Sequence, residues 1–206
     1  RFKPYYGLTY NELVKALGCE DSKAKSKYFL VANEILTEKG SRGIDVTKSE
    51  EFKKSGIIIK TIRLKKSGRS AEAMSFENIN YFDIMNEDDW YESRLYDIFT
   101  GRFLFVVFQE NDNNETVLKK AFFWTMPYED LQIAEEYWKN IHDNVVANQI
   151  APAFFFKASD HKKFHVRPKA KNAADVAVNP HGGTVKKYCY WFNQDYIKEI
   201  VEQNTL

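Results

Sequence analysis

The sequence has few of the residues that define several specialised classes of protein. It carries two cysteines, nine glycines and five prolines in 206 residues, too few for a disulfide-rich scaffold or a collagen-like chain. No run of about 18 apolar residues is present, so no segment is predicted to cross a membrane. The N-terminus also lacks the apolar stretch of a secretion signal. What remains is an ordinary globular chain, long enough for one domain or at most two small ones.

The cysteines and histidines are too scattered to indicate a metal centre. Cys19 and Cys189 are far apart in sequence. A disulfide between them is one alternative, but two free thiols in a reducing cytoplasm are favoured. The four histidines show no zinc-binding spacing, and we assign none of them a catalytic role. Because the chain begins at Arg1 rather than Met, we expect either a fragment of a longer protein or a processed product.

The chain has almost no net charge, but its charges are segregated. Thirty Lys and Arg against 29 Asp and Glu give a net charge of +1. Residues 52–71 contain seven Lys or Arg and no acid, and residues 161–174 contain five and again no acid. The acids concentrate in residues 77–92 and 129–136. The basic segments predict a face that binds a polyanion, although a solvated surface is the alternative for any single run.

Hydrophobic periodicity predicts four helices. Thr9 and Glu12 form a capping box, so a helix is expected to begin there and end near Gly18. Further helices are predicted from about Ser22 to Thr37, from Tyr128 to about Val146, and from Gln194 to Val201. Residues 40–49 are predicted to be a loop.

The strands are predicted from β-branched and aromatic runs. Residues 102–108 are wholly apolar beyond Arg102 and should form a central strand. After a turn at residues 111–114, the chain should return antiparallel over residues 117–125. The other predicted strands are residues 56–62, 74–85, 163–167 and 188–192. Residues 172–184 are predicted to be a long polar loop without structure of its own. The expected fold class is α+β, with a mixed sheet flanked by helices.

Glu51, Ile58 and Lys60 occupy positions that suggest a degenerate nuclease site. Many nucleases bind Mg²⁺ through an acid at a strand start and a Glu two residues before a Lys, which the period of a strand places on one face. Here the Lys and an upstream acid are present, but the middle carboxylate is replaced by Ile58. Mg²⁺ requires several oxygen ligands, so cleavage should fall by orders of magnitude. A buried structural strand is the alternative interpretation.

Residues 165–173 contain a short basic motif that suits DNA recognition. Pro168 stiffens the chain between Arg167 and Lys169 and favours an extended backbone. An Arg can donate two hydrogen bonds to a guanine edge, and a Lys can reach a phosphate or a base. A solvated basic turn is the alternative. In the aromatic run of residues 188–192, Tyr190 and Phe192 should share one face of a strand and Trp191 the other, with burial of both faces favoured.

These motifs resemble the MutH family of endonucleases. The segments that carry the resemblance are Tyr6–Leu13, Asn33–Ile35, Phe52–Thr61 and Arg167–Ala173, the last being the most specific. A closer similarity is to the C-terminal MutH-like domain of staphylococcal-type GATC type II restriction endonucleases, carried by residues 51–61, 74–76, 102–105, 126–127, 165–168 and 191–198. In that case residues 1–206 are a single MutH-like domain of a larger enzyme.

The resemblance implies roles for individual residues. Phe52–Thr61 would occupy the catalytic hairpin of the family, and Glu34 would match an additional active-site Glu. The catalytic Glu of the family is Ile58 here, its Asp is Glu51, and Lys60 is retained, so these four positions would be vestigial, with no metal of their own. The expected DNA-binding residues are Arg167, Pro168, Lys169, Lys171, Lys186, Lys187 and Trp191. Arg167 would contact a base, and Lys169 would lie near the adenine.

The function implied by the resemblance is binding of double-stranded DNA at GATC without cleavage. Such a domain would act as an allosteric effector of an N-terminal catalytic domain of the same parent chain, and the parent enzyme would use Mg²⁺. Two alternatives stay open. One is a working Mg²⁺-dependent GATC endonuclease that uses Glu34, Glu50 or Glu51 with Lys60. The other is a protein-interaction module with an inactive DNA groove.

Overall fold

The computed structural model describes residues 1–19, 21–37, 45–160 and 162–204. The chain forms two compact units, one of residues 1–72, 101–125 and 204–206 and the other of residues 73–100 and 126–203. Each unit is therefore assembled from segments that are distant in sequence. The single domain expected over residues 1–206 stays a prediction.

The described residues form helices and strands in the following order. The helices are α1 (Tyr10–Leu17), α2 (Lys27–Leu36), α3 (Glu50–Ser55), α4 (Tyr81–Met85), α5 (Arg94–Phe99), α6 (Tyr128–Val146) and α7 (Gln194–Gln203). The strands are β1 (Ile57–Leu64), β2 (Met74–Asn78), β3 (Arg102–Glu110), β4 (Thr116–Trp124), β5 (Phe164–Pro168), β6 (Val176–Val178), β7 (Thr184–Lys186) and β8 (Tyr188–Phe192). The α+β fold class is confirmed. In the described part of the chain, no helix has the length and apolar character needed to cross a membrane.

The first unit is built on a three-stranded mixed sheet in the order β1-β3-β4. β1 runs parallel to β3, and β4 returns antiparallel to β3, as the turn at residues 111–114 predicts. The central strand is confirmed, because every residue from Phe103 to Phe108 is buried. Apolar residues of α1 and α2 pack in the same core cluster as Ile59, Leu104 and Val106.

The two N-terminal helices differ in how well their starts are predicted. The capping box of α1 is present, and the helix ends at Gly18, which has a left-handed φ of 64°. The predicted start of α2 at Ser22 is wrong, since that helix begins at Lys27. The backbone of Ser22 instead exchanges hydrogen bonds with the Tyr10 hydroxyl, at 3.2 and 3.4 Å, which takes it out of a helical ladder.

The segment before β1 is a helix rather than part of a hairpin. Residues 50–55 form α3, whose first turn is capped by the Ser49 hydroxyl and whose end is Gly56 at a φ of 62°. The catalytic hairpin expected over Phe52–Thr61 is therefore wrong in its first half. Of the loop predicted over residues 40–49, residues 40–44 lie outside the described residues, and residues 46–48 form a single 3₁₀ turn.

The second unit is built on an antiparallel sheet in the order β2-β8-β5. One face of this sheet carries a cluster of rings in which Phe99 lies 5.1 to 5.4 Å from Phe76, Phe164 and Phe192, centroid to centroid. The predicted bounds of α6 are confirmed, and α7 extends two residues beyond its predicted end.

Two predictions in the second unit are corrected. The strand predicted over residues 74–85 ends at Asn78, because the Asn80 side chain accepts hydrogen bonds from the amides of Phe82 and Asp83 and starts α4. The loop predicted to lack structure over residues 172–184 contains β6 and the start of β7, which pair as an antiparallel hairpin. The sequence analysis also missed α5, which is capped by Ser93.

Candidate nucleic-acid interface

The end of β5 presents two cations beside a tryptophan ring of β8. The Arg167 guanidinium carbon lies 5.1 Å from the centroid of the Trp191 ring, and the Lys169 Nζ lies 5.9 Å from the same centroid. His165 pairs with Trp191 across the two strands, and the period of two places Arg167 on the side of β5 that His165 faces. The structure therefore brings together three of the residues expected to bind DNA.

Arg167 and Lys169 differ in how firmly they are held. The Lys169 Nζ donates hydrogen bonds to the Ser75 hydroxyl at 2.9 Å and to the Phe76 carbonyl at 3.2 Å, which ties it to β2. Within the described chain, the exposed Arg167 guanidinium donates no hydrogen bond to a protein acceptor. All five of its donors are thus available to a ligand, while the indole ring limits where the group can move.

The remaining predicted cations surround the base of the β6–β7 hairpin. The Lys169 amide donates to the Lys187 carbonyl at 3.0 Å, which closes this base. Lys171 and Lys186 are exposed, as is Pro168 at the end of β5. Lys187 is instead half-buried and forms an ion pair with Asp175. Lys171 and Lys186 can therefore reach a phosphate, whereas Lys187 is committed to a protein carboxylate.

The hairpin is anchored at its tip and at its base. In the turn, the Asn179 side chain donates to Asn148 Oδ1 at 3.0 Å, and the His181 ring lies 2.9 Å from the Val145 carbonyl at the end of α6. At the base, the buried Tyr81 hydroxyl donates to the Lys186 carbonyl at 2.7 Å. These contacts hold the β6–β7 hairpin in place within its own unit. The backbone that carries Lys171 and Lys186 is therefore well defined.

His165 is a neutral group in the middle of this basic cluster. It is fully buried and stacks on Trp191 with a centroid distance of 6.0 Å. Burial, and then the positive charge of Arg167, lower the pKa of His165 to about 4. The sequence analysis set all four histidines aside, and only the pairing of two strands could have placed this one beside Trp191.

The four positions that the resemblance predicts to be vestigial all lie in the first unit. Ile58 and Lys60 are half-buried on one face of β1, as the period of a strand requires. Glu51 is exposed on the first turn of α3, not at the start of a strand, and Glu34 is half-buried on α2. Ile58 places an apolar group at the position where the resemblance expects a carboxylate.

These positions do not fit a magnesium ion. Across the described residues, no three or more His, Cys, Asp or Glu side chains come together in a group that could hold a metal ion. Mg²⁺ prefers oxygen ligands in near-octahedral geometry, and Ile58 supplies none. We therefore derive no metal-dependent step in this chain.

Two comparisons with known proteins support a MutH-like restriction-endonuclease domain. The family model described as DNA mismatch repair enzyme MutH matches residues 43–136, which include α3, β1 and the mixed sheet. Over 245 aligned positions, the chain is 25% identical to the type II restriction enzyme Sau3AI of Staphylococcus aureus. That alignment covers 98% of this chain and 50% of the relative, so the chain spans about half the length of the curated relative it matches.

Proposed function

We propose that this chain binds double-stranded DNA at GATC and does not cut it. The observation that carries the proposal is the exposed Arg167 guanidinium, held beside the Trp191 ring with all of its donors available. An Arg in this state can donate two parallel hydrogen bonds to a guanine in the major groove. The choice of GATC rests on the resemblance of residues 167–173 to the recognition loop of the MutH family.

The absence of cleavage follows from the side chains at the vestigial positions. Ile58 provides no ligand, Glu51 is displaced onto α3, and no group of His, Cys, Asp or Glu side chains that could hold a metal ion exists in the described chain to replace them. DNA binding does not need those groups, because phosphates and base edges can be recognised by cations and other hydrogen-bond donors. The two activities can therefore be lost and kept independently.

The direct test is fluorescence anisotropy with a labelled GATC duplex and a scrambled duplex of the same composition. Titrations are run at two salt concentrations with Mg²⁺ present, and the DNA is then examined on a gel. Tighter binding of the GATC duplex, with both duplexes intact, is expected. Binding of both should weaken with salt, since cations that contact phosphates release counterions. Cut DNA would establish the working endonuclease instead.

Replacing Arg167 tests base recognition. Arg167→Ala is expected to weaken binding to GATC by about 1–3 kcal/mol and to reduce the preference for GATC over the scrambled duplex. Lys53→Ala and Lys65→Ala are the matched comparison. Because these lysines are exposed and belong to the basic segment of residues 52–71, removing either one should weaken binding to both duplexes by the same amount. An equal loss on both duplexes for Arg167→Ala would refute base reading by this residue. If Arg167→Ala/Lys169→Ala leaves binding unchanged, the protein-interaction module is favoured.

We further propose that DNA bound here regulates an N-terminal catalytic domain of the same parent chain. The support is that the chain matches about half of a restriction enzyme and lacks a fitting metal site of its own. Regulation requires that DNA bound to this domain favours one arrangement of the parent enzyme over another. Adding a cleavage-resistant GATC duplex should change the cutting rate of the parent enzyme on a second DNA. A rate indifferent to that duplex would exclude the effector role.

A further inference from the structure

The second unit contains an acidic pocket that the DNA-binding proposal does not use. It is lined by residues of β2, of α4 and of the segment leading into α5, with Tyr190 of β8 contributing from the sheet. Its charged residues are Glu77, Asp83, Glu87 and Arg94, which give it a net charge of −2. The pocket has about 300 Å³ of empty space including its open mouth. This negative charge repels phosphate, so the pocket is no part of a DNA-binding surface.

The charged groups of the pocket are held in place by the protein. The Arg94 guanidinium donates to both carboxylate oxygens of Glu77, at 2.8 and 3.0 Å. Glu87 accepts from the Arg94 amide at 2.8 Å and, with its second oxygen, from the buried Trp138 indole at 2.6 Å. Asp83 accepts from the Asn80 amide at 2.6 Å. Each carboxylate oxygen nevertheless has more than one acceptor site, so the walls can accept further hydrogen bonds.

The Tyr190 hydroxyl is a polar group in this pocket without a protein partner. Tyr190 as a residue is only 3% exposed, yet among the described residues its hydroxyl makes no hydrogen bond. Tyr190 lines the pocket and interacts electrostatically with both Glu87 and Glu77. A buried hydroxyl normally has a hydrogen-bond partner. Because Tyr190 lines the pocket, its hydroxyl is free to pair with water or with a group that enters the pocket and displaces that water.

We infer that this pocket binds one cationic hydrogen-bond donor group, an alkylammonium or a guanidinium. Such a group carries several N–H donors and no acceptor. It is therefore complementary to the carboxylates and the phenolic oxygen of the pocket, all of which can accept hydrogen bonds. Its positive charge is attracted by the net negative charge of the walls. The pocket is small enough that only the end of a side chain or of a linear amine fits. The inference does not depend on DNA binding.

The indole N–H of Trp138 provides a direct readout, because it donates to Glu87 at the wall of the pocket. We would follow its NMR resonance in the intact 206-residue chain, assigned with a Trp138→Phe variant, while adding butylammonium or ethylguanidinium at constant ionic strength. A saturable shift with a millimolar dissociation constant is expected. Tetramethylammonium carries the same charge but no N–H donor, so it should produce no saturable shift.

Two variants, with a third as their control, test whether the shift arises from binding in the pocket. Tyr190→Phe removes only the hydroxyl and should weaken binding by roughly 10-fold. Tyr188→Phe is the matched control, since Tyr188 is buried on the same face of β8 but does not line the pocket, and it should bind like the native chain. Asp83→Asn should also weaken binding, because it removes one negative charge from an exposed position that tolerates an amide.

The outcomes separate the inference from its alternatives. If tetramethylammonium shifts the Trp138 resonance as much as butylammonium does, the effect is non-specific attraction between charges, and the inference is overturned. An affinity unchanged in Tyr190→Phe would overturn it as well. No saturable shift with any donor would do the same. If putrescine or spermidine binds more than tenfold more tightly than butylammonium, the ligand is a free polyamine. If the polyamines and butylammonium bind with similar affinity, the ligand is a single Lys or Arg side chain. The ratio of the dissociation constants of butylammonium and ethylguanidinium then indicates which of the two it is.

Discussion

At the scale of single residues, burial changes how His165 responds to pH. Its folded pKa of about 4 lies well below the ordinary value of 6.5, because burial and the charge of Arg167 oppose protonation. Between these two values the unfolded chain binds a proton that the folded chain does not. The free energy of unfolding should therefore fall as the pH drops from 6.5 towards 4, by about 3 kcal/mol for this residue.

The variant His165→Phe tests this assignment, because it keeps an aromatic ring against Trp191 but cannot titrate. Urea unfolding of both proteins at several pH values between 7.5 and 4.5 gives the difference in stability. That difference should shift in favour of the variant as the pH falls, and Arg167→Ala should make the native loss smaller. Parallel curves for the native protein and His165→Phe over this range would show that His165 is not the responsible group.

At the scale of secondary-structure elements, a charged cluster joins β5, α6 and α7. Lys163, just before β5, donates to Asp130 of α6 at 2.7 Å and to Glu199 of α7 at 2.9 Å. The Tyr196 hydroxyl donates to the other oxygen of Asp130 at 2.6 Å. Asp130 is 6% exposed, so these partners replace the water that would otherwise bind its carboxylate. The cluster thus fixes both helices against the strand that carries Arg167.

Removing Lys163 should be costly because it leaves the buried charge of Asp130 without its cation. We expect Lys163→Ala to lower the free energy of unfolding by about 3 kcal/mol, measured by urea denaturation. Lys198→Ala is the matched control, since Lys198 makes only a 3.6 Å surface pair with Glu202 along α7 and should cost less than about 0.5 kcal/mol. Equal effects of the two substitutions would mean that the cluster contributes no more than a surface ion pair.

At the scale of the whole molecule, the path of the chain makes each unit depend on distant segments. Among the described strands, β2 pairs with β8 alone. Phe99 is buried against Phe164 and Phe192, and about 65 residues or more separate each of these pairs of partners in sequence. A fragment of residues 1–125 would retain the sheet β1-β3-β4 but would lose every strand that pairs with β2.

In such a fragment, residues 74–99 should have no stable structure, since their rings would be exposed and β2 would be unpaired. Hydrogen exchange should show rapid exchange of the amides of β2 and α5, whereas the same amides are protected in the full chain. The peptides of β3 provide an internal comparison within the same fragment. Protected amides over residues 74–99 would show that this segment folds without β5 and β8.

The accuracy of the sequence analysis varied with how locally each element is determined. The capping box of α1 and the apolar run of β3 act within a few residues, and both were predicted correctly. The predictions were wrong for the start of α2, for the end of β2 and for the segment that forms the β6–β7 hairpin. In each case a contact outside the pattern decides, such as the Tyr10 hydroxyl on Ser22 or the anchoring of Asn179 by Asn148.

The residues of the candidate site also fall into those that the sequence could identify and those that it could not. Arg167 and Lys169 could be selected from residue type and spacing, and Trp191 only from the resemblance. The structure places the three together. The commitment of Lys187 to Asp175, the neutral state of His165 and the acidic pocket around Tyr190 could not be selected. Each depends on which strands pair, and strand pairing joins residues that are distant in sequence.

The α+β class, the central strand, the segregation of charge and the apolar residue at position 58 could all be derived from the amino-acid sequence alone. These are properties of residue type and short-range periodicity, which need no knowledge of neighbours across the fold. The tertiary structure was needed to establish which cations are available to a ligand, which acids are already paired and, among the described residues, that the Tyr190 hydroxyl has no protein partner. Desolvation and hydrogen bonding act through space, so the chemistry of a side chain is set by its neighbours in the fold.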